Sequence, residues 1–427
     1  RGNASLGYRF NQNYICIPLP FDALQAVIMY PVVIIGAGPV GGRLATELSL
    51  RGIKTLMIEE HSEIGRPFQC AGLVNPPAMQ AVGLEDSILQ NINGALIHSP
   101  SGIQVPVGNE ETIRTHVVCR KKFDQGVVRQ AMEAGAHLWL NSRPEDAIIN
   151  KEHVELTINR DGQINTIQTK LLVGADGAHS WTRRKFRLGR PKEMMIGFQT
   201  DVQGLSGKDN WLEMYTGSDI APGFFAWVIP TGNNTHRIGI WSKADLLDGK
   251  SIEECYHSLL NHPLWINRFE NAKEVARYCG PVPCGMLRKP YKDRVMLIGD
   301  AAGMAKPTTG GGIGPGFRQV EAVIEKLSVS INKDKLSQSD LARVCKPYSK
   351  LSKELDRARA LRDLLVTIPN DKELDSHFAM FNRPEILELI NEIGDIEHPV
   401  PLGMALLKQV PEFRKLALKA GVKLLFA

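Results

Sequence analysis

The stretch Val32-Val33-Ile34-Ile35-Gly36-Ala37-Gly38-Pro39-Val40-Gly41 decides the fold. Four branched apolar residues read as a buried strand, three glycines follow at the spacing Gly-x-Gly-x-x-Gly, and a helical pattern begins at once. The first glycine makes the tight turn, the second lets bare backbone approach a pyrophosphate, and the third lets the helix pack close to the strand. The helix N-terminus then offers unpaired N–H groups to phosphate. Beyond the helix, Thr55–Ile58 reads as a second parallel strand ending at Glu59, 18 residues after Gly41. That is close to the ~20 expected of a carboxylate that accepts ribose hydroxyls. Strand, turn, helix and acid in this order predict a dinucleotide-binding crossover.

Working outward, Val40, Leu44, Ala45 and Leu48 fall on one helix face, and Gly52 stands where a helix stop belongs. Gly65-Arg66-Pro67-Phe68-Gln69-Cys70-Ala71-Gly72 is too rich in Gly and Pro for a regular element and is expected to be a loop over the cofactor. A strand should end near Arg120, with a helix from Phe123 to Ala134. Val154–Asn159 and Ile164–Ile167, separated by Asp161-Gly162, alternate like a hairpin. Leu171-Leu172-Val173 then delivers Gly174-Ala175-Asp176-Gly177. A second glycine-rich region, Val295 to Gly303 followed by Gly310-Gly311-Gly312-Ile313, aims Asp300 at polyol hydroxyls and opens a helix from about Gly316 to Ile331.

Composition bounds the rest. At 427 residues, 43% hydrophobic and 23% charged, the chain has apolar material for two or three packed domains. The net charge of +5 comes without a lysine-arginine block of the nucleic-acid type, so no nucleic-acid partner is expected. Seven scattered cysteines lack zinc-type spacing, so no metal is expected, and they fit a reducing, cytoplasmic setting. No apolar run approaches the roughly 20 residues of a spanning helix. Residues 1–28 precede Met29 and lack signal-peptide architecture; they read as an N-terminal extension.

Together, Gly36-x-Gly38-x-x-Gly41, Gly174-Ala175-Asp176-Gly177 with Ser180 and Arg183, and Gly299-Asp300-Ala301-Ala302-Gly303 resemble the FAD-dependent hydroxylase superfamily. Within it, Gly65-Arg66-Pro67 with Cys70-Ala71-Gly72, and Pro222-Gly223-Phe224-Phe225-Ala226-Trp227-Val228-Ile229-Pro230, resemble the geranylgeranyl reductase family, whose members saturate isoprenoid double bonds. The resemblance implies a Rossmann-like α/β FAD-binding domain with an inserted mixed β-sheet substrate domain and a helical C-terminal region. In this division the cofactor domain takes residues 29–80, 112–186 and 280–331, the substrate domain 81–111 and 187–279, and the helices 332–427.

The same resemblance implies that Gly36, Gly38, Gly41 and Glu59 hold the adenosine half of FAD and that Arg120 steadies the cofactor. It assigns the ribityl chain and ring to Asp300, Gly303, Gly311, Gly312 and Ile313, and gives Asp176 either a cofactor contact or a turn-capping role. The family's Pro-x-x-Tyr-x-Trp-x-Phe-Pro pattern is altered here: Phe225 stands for the Tyr and Ile229 for the Phe. Phe225, Trp227 and Ile229 share one strand face and are expected to wall a hydrocarbon site. Cys70, taken to lie in apolar surroundings, is the candidate proton donor, against the ordinary role of a small buried hydrophobe.

The implied substrate is an isoprenoid lipid. The external reductant stays open among NAD(P)H, ferredoxin and reduced deazaflavin, the second of these an electron-donor protein. Residues 408–427 mix Lys408, Arg414, Lys415, Lys419 and Lys423 with apolar side chains. They read either as a peripheral membrane contact or as a packed terminal helix. Competing functions are an FAD-dependent monooxygenase or halogenase, since Phe225-x-Trp227-x-Ile229-Pro230 approaches the halogenase Trp-x-Trp-x-Ile-Pro segment, an electron-transfer flavoprotein dehydrogenase, and a non-catalytic prenyl-binding carrier.

Overall fold

Every other residue of the first strand, Met29–Ile35, faces a different core, which is why the run is apolar throughout. Val32 and Ile34 pack against Leu44, Ala45 and Leu48 of the helix Pro39–Leu50, and against Val320 and Leu327 of the long helix Ile313–Asn332. Val33 and Ile35 pack on the opposite side against Val154, Leu156 and Ile158. The result is three layers: helices, a parallel sheet, and an antiparallel hairpin. The computed structural model describes residues 28–67, 70–368, 370–394 and 399–419. The sequence extension over residues 1–28 lies outside these, apart from Ile28, as do residues 420–427 of the basic C-terminal segment.

The main sheet runs Tyr291–Lys292, Val295–Leu297, Gln163–Gly174, Met29–Ile35, Thr55–Ile58, His137–Trp139, with Ser142–Ile149 and Val154–Arg160 attached as an antiparallel flap. The hairpin expected around Asp161-Gly162 is present, Val154 pairing with Thr169 and Arg160 with Gln163. Helix boundaries shift modestly: the helix expected from Phe123 starts at Arg120, and that expected from Gly316 starts at Ile313.

A second, seven-stranded mixed sheet has the order Lys273–Cys284, Glu193–Gln203, Thr235–Lys243, Phe225–Gly232, Trp211–Tyr215, Gly94–His98, Gln104–Gly108. Between the two lies a small sheet of Leu73–Val74, Thr115–Val118 and Ile88–Ile92. After the long helix the described chain is helical, and the helix Pro384–Ile393 has proline in its first turn. The helices Tyr348–Leu365, Asp371–Phe381, Pro384–Ile393 and Pro399–Gln409 fold back toward the edge strand Gln104–Gly108. The architecture is thus a Rossmann-like α/β layer, an inserted mixed sheet and a helical C-terminal region.

Candidate active site

The turn after the first strand is built as its glycines require. Gly36 has φ +96°, and a Cβ on Gly41 would lie 2.3 Å from the Gly36 carbonyl oxygen. Gly41 therefore serves the close approach of helix to strand and does not line the cavity that begins at Gly36 and Gly38. Glu59 reaches that turn: Ala37 N–H donates to its Oε2 at 3.0 Å, and His61 lies 2.6 Å from its Oε1.

From here a cavity of about 1290 Å³ runs through the molecule. Ligand sites are ordinarily ~300–1,000 Å³, so this one has room for more than a single ligand. Its lining includes Gly36, Gly38, Glu59, Cys70, Arg120, Asp176, Asp300, Gly311, Gly312, Ile313, Phe225 and Trp227. Residues 277 positions apart in the chain, Gly36 and Ile313, thus share one space.

Asp300 sits in a short turn just after the strand Val295–Leu297, beneath the N-terminus of the long helix. A Cβ on Gly312 would lie 2.5 Å from its Oδ1. Desolvation pushes the Asp300 carboxyl up to about 6, against the opposing pull of Arg120 and Arg183. In the loop just before that helix, the buried hydroxyls of Thr308 and Thr309 have no hydrogen-bond partner, and both residues line the cavity. Orphaned donors, a carboxylate for hydroxyls and a helix N-terminus fit the polyol, ring and phosphates of FAD. Gly303 has a different place: it turns the chain at φ +78° and is not among the lining residues.

Asp176 is committed to its own turn. Its carboxylate accepts from Ser180 Oγ at 2.6 Å and from Thr182 N and Oγ1, each at 2.9 Å. Arg120 grips Asp124 with two hydrogen bonds of 2.9 and 2.8 Å, and its guanidinium lies within electrostatic reach of Cys70. Burial alone would pull Arg120 down, but Asp124 and Cys70 beside it carry it above its ordinary value.

Cys70 is half-buried, and Gly72 N–H donates to its sulfur at 3.3 Å. The apolar surroundings expected for it are corrected by this geometry. Two guanidiniums, those of Arg120 and Arg237, stand within electrostatic reach of it, one from the start of a helix and the other from the seven-stranded sheet.

The opposite wall is one face of that sheet. Strand register places Tyr278, Gln199, Gly239, Trp227, Met214, Ile97 and Val105 in a single row. The adjoining row holds Gly280, Gly197, Trp241 and Phe225. Phe225 lies 5.7 Å from Trp241 and 6.3 Å from Trp227, ring centre to ring centre. Trp227 Nε1 donates to Gln199 Oε1 at 3.3 Å, and Gln199 Nε2 is left without a partner.

Ile229 departs from expectation. Strand alternation does place it on the Phe225 and Trp227 face, but Ile92, Val117 and Leu212 cover it and it does not line the cavity. Past Met214 the walls become hydrocarbon: Ile97, Val105 and Val107 from the edge strands face Leu365, Phe378, Phe381, Ile390, Leu402 and Leu406 from the C-terminal helices. Sequence reading did not foresee that these helices would form part of the site.

The FAD binding domain family matches residues 29–339. Digeranylgeranylglycerophospholipid reductase of Methanococcus vannielii is 30% identical over 400 residues, covering 90% of this chain and 97% of that protein. Digeranylgeranylglycerophospholipid reductase 1 of Methanosphaera stadtmanae is 28% identical over 350 residues, 80% of this chain and 86% of its own.

Among solved structures, a geranylgeranyl bacteriochlorophyll reductase-like protein from Thermoplasma acidophilum superposes with a TM-score of 0.79 at 22% identity, over 92% of this chain and 99% of that one. A flavin-dependent brominase reaches 0.69 at 20% identity, over 91% and 100%. Both likenesses concern the fold. By sequence and by the glycine turns, Asp300 and the cavity they enclose, the chain belongs to the FAD binding domain family and, within it, to the geranylgeranyl reductase group of flavin oxidoreductases.

Proposed function

We propose that this flavoprotein saturates carbon–carbon double bonds of geranylgeranyl chains carried by membrane lipids. The observation that carries the reading is the continuity of the cavity from the glycine turns, past Cys70 and Trp227, to a hydrocarbon end between the edge strands and the C-terminal helices. The lining of that end is mainly aliphatic and aromatic, a poor exchange for water to a strongly polar ligand. A prenyl chain suits it.

In this reading Gly36, Gly38 and Glu59 take the adenosine half of FAD, and Asp300 with the loop 308–313 takes the ribityl chain and ring. When reduced, FAD supplies the hydride for one carbon of the double bond. The second carbon needs a proton. In this reading Cys70, which lines the cavity beside Ala71 and accepts from the Gly72 N–H, supplies it from its thiol. Trp227 and Phe225 present ring faces to the positive charge that builds on the more substituted carbon. The apolar walls exclude water meanwhile. Each bond saturated consumes one hydride and one proton, and the external reductant, NAD(P)H, ferredoxin or reduced deazaflavin, restores the flavin. Cys70 recovers its proton from solvent.

Among the described residues no helix is long and apolar enough to cross a membrane. Access to a lipid substrate in this reading is peripheral, through the exposed Lys408, Arg414 and Lys415 near the end of the described chain. The test is anaerobic incubation of dithionite-reduced protein with a geranylgeranylated lipid, followed by mass spectrometry. Gains of about two mass units per bond are expected, from one hydride and one proton. An unchanged lipid mass with fully reduced flavin would sink the assignment.

A further inference from the structure

Arg237 is a charge in an unusual place. It lies on the strand Thr235–Lys243, directly opposite Asp201 on one side and Ile229 on the other, and only 5% of it is exposed. A guanidinium taken this far out of water is costly unless its donors are used. Burial pulls it below its ordinary value, with Asp201 opposing.

Its ion pair with Asp201 spans 3.8 Å, too long for a hydrogen bond. The short contacts go elsewhere. Nη1 donates to the Ala71 carbonyl at 2.7 Å and to the Val118 carbonyl at 3.3 Å, and Nη2 to Val118 at 3.4 Å.

Those two carbonyls belong to the segments that carry the site. Ala71 is the residue after Cys70. Val118 ends the strand that leads into Arg120, and its N–H in turn bonds the Gly72 carbonyl at 2.8 Å. One buried cation therefore fastens the Cys70 loop and the root of Arg120 to the sheet that bears Trp227.

Gly72 makes the reach possible. It has φ +74°, and a Cβ there would lie 2.3 Å from Arg237 Nη1 and 2.9 Å from the Val118 oxygen. The glycine following Cys70-Ala71 is thus the counterpart of the arginine 165 residues later.

We propose that Arg237 is a positioning residue, which through the gap left by Gly72 holds Cys70 at a fixed place between the FAD site and the Trp227 wall. The proposal rests on the reading of the cavity as the reaction site, but not on Cys70 being the proton donor. The experiment uses the full-length FAD-loaded protein with Arg237→Met, Arg237→Lys, Gly72→Ala and the Gly72→Ala/Arg237→Met double variant. Flavin content, the rate of iodoacetamide labelling of Cys70 followed by peptide mass spectrometry at one pH, and kcat and KM on the prenyl lipid are read for each.

Arg237→Met should keep its flavin, label at Cys70 about tenfold faster, and lose about tenfold in kcat with KM within about threefold. These sizes are those of a loosened catalytic loop. Arg237→Lys, which cannot span both carbonyls, should recover the charge and only part of the rate. Gly72→Ala should resemble Arg237→Met, and the double variant should be no worse than either within about twofold, the mark of two residues acting on one contact.

Unchanged labelling and kcat in Arg237→Met, or multiplied effects in the double variant, would overturn the proposal. If Arg237→Met does not fold, Gly72→Ala and Arg237→Lys still decide it. A fully active Cys70→Ala protein would remove Cys70 from the chemistry while leaving the labelling result intact, so the two failures are distinguishable.

Discussion

Trp227 lies across Gly239 of the neighbouring strand, so closely that a Cβ built on Gly239 would stand 2.2 Å from the indole. The glycine is the bed in which the ring lies flat, and the Nε1–Gln199 bond fixes its direction. Gly239→Ala should therefore tilt the indole into the cavity, at a cost of about 1–3 kcal/mol in stability from overpacking. A fall in kcat/KM of about tenfold or more on the prenyl lipid is expected, with flavin content retained. Steady-state kinetics beside the flavin absorbance checks this, and wild-type kinetics in Gly239→Ala would show that the indole plane is immaterial.

Cys70 lines the same cavity as Trp227 and the loop 310–313, and the proposal that it gives the proton can be tested directly. Cys70→Ala and Cys70→Ser should keep the flavin and lower turnover by about 10²-fold or more, the contribution of a positioned acid. Undiminished turnover in Cys70→Ala would exclude it as the donor.

Much of this site was legible because its parts are local. Gly36 to Gly41 with Glu59, and Val295 to Ile313, each carry strand, turn and helix within one stretch, so spacing alone predicts geometry. What spacing does not carry is the company a residue keeps. Cys70 was read as a thiol among apolar groups, yet Arg120 and Arg237 arrive 50 and 167 residues later in the chain.

Ile229 has the alternation of a cavity residue, but the small sheet of Ile92 and Val117 closes over it. Gln199, Asp201 and Arg237 look like ordinary polar alternation on strands until register shows them on the face toward the cavity. Leu365, Phe378 and Leu406 read as amphipathic helix faces, and periodicity does not say what such a face meets. A stronger reading was available at Gly72, whose place beside Cys70 marked a backbone position needing room.

Asp300 makes the apoprotein sensitive to pH. Its folded value, pushed up to about 6, lies above that of an unfolded aspartate, so the folded state holds the proton longer. The stabilising contribution of the protonated acid is complete below about pH 4 and is lost as pH rises through 6, by at most about 3 kcal/mol. Thermal unfolding of the apoprotein at pH 4.5 and 7 should show this loss, and Asp300→Asn should remove most of it. An apoprotein whose Asp300→Asn variant keeps the same pH slope would place the titration elsewhere.

The basic segment near the C-terminus has a packed side and a solvent side. Leu406, Val410 and Phe413 are buried with Ile386 and Ile390, so this part of it packs on the protein, while Lys408, Arg414 and Lys415 are exposed. Cutting the chain at Pro401 would remove Leu402 and Leu406 from the cavity wall and confuse two effects. Reversing the charges with Lys408→Glu, Arg414→Glu and Lys415→Glu is cleaner. Co-sedimentation with anionic vesicles should fall by about tenfold or more, since each cation contributes about 1 kcal/mol near such a surface, with turnover of detergent-dispersed lipid unchanged. Equal sedimentation of the charge-reversed protein would dismiss this face as a membrane contact.

Arg362 ties the helical region to the flavin loop. It is buried, bonds Glu193 at 2.9 and 3.1 Å, donates to the Pro307 carbonyl at 2.9 Å, and lies 4.9 Å above the Phe224 ring. Arg359 holds the same Glu193 from one turn away, at 2.9 Å. Burial alone would push the Glu193 carboxyl up, but Arg362 and Arg359 hold it below the usual carboxylate range.

Its contribution to stability is therefore present at neutral pH and lost as pH falls below about 4, through the folded value. Arg362→Met leaves the half-buried Glu193 with Arg359 as its main partner and should cost up to about 3 kcal/mol. Because Pro307 begins the loop to Gly312, FAD should dissociate more readily as well. Adding Glu193→Gln should restore part of the stability but not the flavin affinity, since the Pro307 contact stays lost. Calorimetry and flavin fluorescence separate the two, and an Arg362→Met protein that binds FAD as tightly as wild type would break the link between the helices and the cofactor loop.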